Sequence, residues 1–104
     1  MQNFFDTSNP PLGGRESFEI LCQSGDVKVE RIRSNTVSEG EWYDQAHDEW
    51  VMLVSGEAVL EYDGGERAHL KAGDHLFIPA RQRHRVLSTS ANTSWLAVHI
   101  GIAD

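Results

Sequence analysis

The sequence predicts an all-β barrel or sandwich, and three features carry that reading. Short runs that alternate with period two recur at close spacing from Ser17 to Gly101. Gly, Asp, Ser and Pro punctuate the gaps between them. No stretch carries a 3.6-residue apolar stripe of helical length. Many short strands separated by tight turns are the pattern of antiparallel sheets folded onto one another.

Residues 1–15 read as an arm. Pro10-Pro11 and Gly13-Gly14 break any regular element, and Phe4 and Phe5 need an apolar surface to dock on. Residues 16–104 form a single domain. "SFEILCQ" is the first strand, "SGD" its turn, and "VKVERIR" the second, with Val27, Val29, Arg31 and Arg33 on one face. "WVMLVS" and "EAVLEY" flank Gly56 closely enough to form a hairpin. "DGGE" turns into "RAHLKAGD", which leads to "HLFIP"; "RVLSTS" and "WLAVHIG" close the series. Pro79 suits a strand end, where its missing N–H breaks no ladder. Two strands are apolar on both faces: Val51 and Leu53 oppose Trp50, Met52 and Val54, and Leu96, Val98 and Ile100 oppose Trp95 and Ala97. A small antiparallel sheet ordinarily keeps one face wet. The second dry face therefore implies a cover, either the arm or a second subunit, and a homodimer is expected.

Composition narrows the function. At 104 residues, 39% of them hydrophobic, the chain suffices for one core. A net charge of −7 leaves no basic face for phosphates or anionic lipid, so neither nucleic acid nor a membrane is an expected partner. No apolar run reaches transmembrane length and no signal peptide opens the chain. The single cysteine, Cys22, alternates with Phe18 and Ile20 and reads as a buried thiol in a reducing cytoplasm. There is no phosphate-binding glycine loop and no nucleophile elbow.

Two motifs stand in order along the middle of the chain. The first is Glu49, six residues "WVMLVS", then Gly56; the second is Gly73, five residues "DHLFI", Pro79, Ala80, Arg81, "QR", His84. Together with their spacer they cover residues 43–88, and they resemble the paired motifs of the cupins, small jelly-roll barrels of the double-stranded β-helix type. The resemblance implies a cavity inside the barrel with Glu49 and His84 facing each other across it. In metal-binding cupins two histidines precede the glutamate. Here the corresponding positions are Tyr43 and Gln45, or Trp42 and Asp44 with a longer spacing, and neither pair contains a histidine. Gly40 is nearer than the family's leading glycine, and Arg81 stands where the second motif usually has glycine.

The candidate metal set that remains is Gln45, Glu49 and His84, with one imidazole where the family offers three. Any divalent ion is expected to be weakly held or absent, and no organic cofactor is implied. Glu49 and His84 read equally as a charge-assisted pair that satisfies two buried polar groups. Tyr43, His47, Arg81 and Arg83 are candidate pocket residues. His47 shares strand parity with Gln45 and Glu49 but reads as a turn residue, exposed or behind the ligands. Arg81, Arg83 and Arg85 crowd His84 and suggest either a fork for a small carboxylate or surface pairing with the nearby acidic run. Arg31 and Arg33 share the face of Val27 and Val29, so one of them is expected to reach the interior. His99 reads as a packed surface or interface residue, His69 as solvated, and His75 as facing either way. The function these residues imply is a small-molecule-binding cupin. The alternatives are a metal-dependent dioxygenase or isomerase and a metal-free epimerase with His84 as base.

Overall fold

Nine strands and no helix are present among the described residues, 1–102, of this computed structural model. They are β1 (Arg15–Ser24), β2 (Val27–Asn35), β3 (Trp42–Tyr43), β4 (Asp48–Ser55), β5 (Glu57–Tyr62), β6 (Arg67–Lys71), β7 (His75–Ile78), β8 (His84–Thr89) and β9 (Thr93–Ile100). Two antiparallel sheets result, one ordered β1-β2-β9-β4-β7 and the other β3-β8-β5-β6. This is the two-sheet jelly roll that the motifs imply. The tight β4–β5 connection passes through Gly56 at φ 89°, and Ser90 and Thr93 leave no room for a side chain there. The β6–β7 turn uses Gly73 at φ 94°, and Asp74 Oδ2 accepts the Lys71 N–H at 2.9 Å.

Alternation decides what the sheets enclose. Val51, Leu53, Trp95, Ala97 and Ile78 point inward from the larger sheet and meet Ala58, Leu60 and Leu70 from the smaller one. Leu53 and Ala97 are wholly inaccessible. Burying each large aliphatic chain contributes about 1.5–3 kcal/mol, so this layer supplies the main cohesion. Trp95 keeps its indole N–H satisfied by donating to Ser34 Oγ at 3.1 Å.

The second strand departs from expectation. Ile32 packs against the core, so Lys28, Glu30 and Ser34, which share its parity, face inward, while Val27, Val29, Arg31 and Arg33 face outward. Arg31 and Arg33 therefore do not reach the interior. They clamp the arm instead: Arg31 donates to the Phe4 carbonyl and stacks on its ring, and Arg33 donates to the Ser8 carbonyl at 2.6 Å. The arm thus docks on its own domain. It covers only one end of the outer face and leaves Phe77 and Ile100 exposed and Trp50, Met52 and Val98 half-buried.

Cys22 is exposed, not a core thiol. The register of β1 against β2 shifts between Ile20, which pairs with Glu30, and Cys22, which pairs with Val29. Leu21 is the extra residue of a β-bulge, and the bulge moves Cys22 from the inner face to the outer one. Phe18 and Ile20 stay on the inner face. They remain more than half exposed because β1 is an edge strand of the wider sheet.

Candidate functional site

The two motifs are stitched together by backbone contacts. Asp48 Oδ1 accepts the Ala80 N–H at 2.8 Å, and the Gln45 carbonyl accepts the Arg81 N–H at 2.7 Å. Arg81 sits at φ 67°, in the left-handed region where the usual glycine would be unstrained. These bonds seat the loop before β4 on the turn before β8, so Gln45 and Glu49 are held opposite His84.

Glu49 and His84 are both buried, with His84 Nε2 4.0 Å from Glu49 Oε1. That gap is long for a direct hydrogen bond. Gln45 Nε2 donates to the same carboxylate oxygen at 3.0 Å. His84 Nδ1 lies 2.8 Å from the Gln82 carbonyl, which can only accept, so Nδ1 carries a proton, and with that proton alone on the ring Nε2 is bare. Tyr43, the register partner of His84 across β3 and β8, stacks on its ring at 5.8 Å. Burial first, and then nearby carboxylates led by Glu16, raise the Tyr43 hydroxyl above its ordinary value, so it stays protonated as a donor.

These side chains line a cavity of about 180 Å³ from both sheets, over Val51, Leu60, Ile78, Val86 and Trp95. The part of the larger sheet's inner face beside Glu49 was not legible in the sequence. His99 is buried and faces inward with Trp95 and Ala97, contrary to its reading as a surface residue. Its Nε2 lies 3.1 Å from Glu30 Oε1 and its Nδ1 lies 2.9 Å from His47 Nε2. His47 therefore lines the cavity rather than standing free in a turn. Burial, and next the neighbouring His99, holds the His47 imidazole below its ordinary pKa. The one available signal for His99 was its parity with Trp95 and Ala97. Glu30 offered none, because a charged residue between Val29 and Arg31 looks solvent-facing.

The arginines lie elsewhere. Arg81 pairs with Asp44 at 3.3 Å and Arg83 with Asp63 at 3.6 Å, all four side chains largely exposed, and neither arginine lines the cavity. Arg83 and Arg85 stack on Trp42 with guanidinium carbons 4.5 and 4.7 Å from the ring centre. Arg85 also bonds Glu61, and that bond, helped by Arg67, holds the Glu61 carboxyl below the usual carboxylate range. Trp42, Arg85, Glu61 and Arg67 are in register across all four strands of the smaller sheet, on its outer face. His75 also faces outward and packs on Trp50, and His69 is exposed.

At the positions the motifs assign, a metal would rest on His84 Nε2, Glu49 and the Gln45 amide oxygen. Glu49 Oε1 already accepts from Gln45. Among the described residues no three His, Cys, Asp or Glu side chains converge on a metal position. One imidazole, one carboxylate and one amide do not fit a tightly held transition metal.

A family model described as the cupin domain matches residues 24–99. Among solved structures, one from Ralstonia eutropha JMP134, provisionally named a mannose-6-phosphate isomerase, is 41% identical, with 99% of this chain and 98% of that one covered and a TM-score of 0.84. An RmlC-like cupin from Shewanella frigidimarina NCIMB 400 has a TM-score of 0.76 at 20% identity, covering 91% of this chain and 84% of that one. A cupin superfamily protein from Desulfitobacterium hafniense DCB-2 has a TM-score of 0.71 at 21% identity, covering 89% and 83%. These last two share the fold alone. No curated protein matches at a significant level.

Proposed function

The chain belongs to the cupin-domain family, and from that premise we propose that it binds an uncharged, hydroxyl-rich small molecule in the barrel cavity, against Gln45, Glu49 and His84. The observation that carries this reading is the 4.0 Å gap between His84 Nε2 and Glu49 Oε1. Two acceptors at that separation suit a pair of neighbouring hydroxyls, one donating to each, because a single hydroxyl has only one proton to give. Charge supports a neutral ligand. Glu16, Glu30 and Glu49 line the cavity against Lys28 alone, so a small carboxylate would enter against repulsion, and the arginines that suggested one are paired outside.

A metal-free sugar isomerase is the second reading. His84 with a bare Nε2 is oriented as a base, and the 41%-identical structure carries an isomerase name. Calorimetric titration with neutral sugars and polyols, alongside organic acids and Mg²⁺ or Mn²⁺, tests the proposal. Saturable binding of a polyol without added metal is expected. Binding confined to organic acids, or stoichiometric tight metal in protein purified without a histidine tag, would overturn it, and the latter would favour a metal-dependent enzyme.

We also propose that the uncovered outer face of the larger sheet pairs with a second copy of the chain. Trp50, Met52, Phe77, Val98 and Ile100 form an apolar surface that the arm does not reach. Sedimentation at micromolar concentration should give a dimer, and Val98→Lys a folded monomer. A wild-type monomer under those conditions would remove the idea.

A further inference from the structure

Glu30, His99 and His47 form a chain of contacts along the cavity wall facing His84. Glu30 and His99 are more than nine-tenths buried, and both links are within hydrogen-bond distance, 3.1 and 2.9 Å. The His47 and His99 rings meet edge to face, with centres 5.0 Å apart. The direction of the chain follows from what each group can do. A carboxylate only accepts, so His99 Nε2 carries the proton toward Glu30. With one proton on the His99 ring, its Nδ1 is bare and accepts from His47 Nε2–H. His47, neutral in turn, is left with a bare Nδ1, which has no hydrogen-bond partner among the described residues.

We propose that Glu30, His99 and His47 are a second recognition wall, a hydrogen-bond chain of fixed direction that offers the Nδ1 of His47 to a ligand hydroxyl. With His84 Nε2 on the other wall, the cavity then holds two bare imidazole nitrogens. Such a pair selects a molecule that donates at both ends, a polyol or a neutral sugar. A carboxylate brings no donor and gains nothing from either nitrogen. Glu30 and His99 are positioning residues in this scheme: they set the His47 tautomer and touch no reacting atom. The ligand class rests on the function proposed above; the direction of the chain does not.

Long-range ¹H–¹⁵N spectra of the intact protein at neutral pH read the tautomers directly. Both His47 and His99 should be protonated at Nε2 and bare at Nδ1. A shared proton, with His99 protonated at both nitrogens, would overturn the chain without reference to any ligand or variant. Glu30→Gln, nearly the same shape, should leave His99 and His47 as tautomer mixtures and weaken polyol binding roughly tenfold, the scale of one lost hydrogen bond. Unchanged tautomers and affinity in that variant would overturn the recognition role. If the tautomers are as stated but wild-type protein takes up no polyol, the ligand class fails together with the proposed function, and the chain direction alone stands. Binding of amines in preference to polyols would likewise overturn the ligand class.

Discussion

Gly56→Ala should lower stability by about 3 kcal/mol or more, enough to leave much of a domain this size unfolded at physiological temperature. Two costs act together. The backbone at φ 89° disfavours any side chain. A Cβ built there would also lie 2.5 Å from Thr93 Oγ1 and 2.9 Å from the Thr93 Cα. The hydroxyl cannot swing away freely, since Thr93 is buried and bonded to the Ser90 carbonyl at 2.9 Å. Gly73→Ala is the control. Its φ of 94° carries the same kind of strain, but nothing lies within 4 Å of the new methyl. It should cost only about 1 kcal/mol. Urea denaturation of the two variants checks the difference, and equal midpoints would mean that crowding at Gly56 is relieved by a cheap shift of the β8–β9 turn.

His84→Asn should abolish most ligand binding while sparing the fold. Asparagine can still donate to the Gln82 carbonyl in place of Nδ1, so the buried acceptor keeps its partner. What disappears is the bare Nε2. Glu49→Gln keeps the shape and the Gln45 contact but removes the charge. Each change should weaken binding by about 10- to 100-fold, the range for a hydrogen bond to a charged or fixed buried group. The double variant should fall short of the product if adjacent hydroxyls of one ligand engage both residues together. Isothermal titration measures this directly; full additivity would mean that the two residues contact different parts of the ligand.

Much of the architecture was readable because turns and alternation are local. Gly56, Gly73 and Pro79 mark strand ends by backbone chemistry alone, and the spacing of Glu49, Gly56, Gly73, Pro79 and His84 suggests a cupin barrel. The pairing of Glu49 with His84 across one cavity followed from those motifs too. The second strand shows where alternation misleads. Its apolar residues, Val27 and Val29, face out, and its polar residues, Lys28 and Glu30, face in. A strand that lines a polar cavity inverts the usual inside-outside sorting, because its inward face meets charged and polar side chains rather than an apolar core. The same inversion hid Glu30 and left His99 assigned to the surface.

The sequence by itself determined the fold class, the positions of most strands and the convergence of Glu49 and His84 on one cavity, since each is written in short-range spacing. Tertiary structure alone decided the rest. The bulge at Leu21 set which face Cys22 takes, a one-residue register choice that no local pattern states. Cross-strand register placed Arg85 beside Trp42 and Glu61 on the outside of the barrel and so kept the arginine cluster out of the cavity. The contact of His47 with His99 joins residues 52 positions apart. Such contacts depend on which strands become neighbours, and that is settled by packing of the whole core rather than by any segment of the chain.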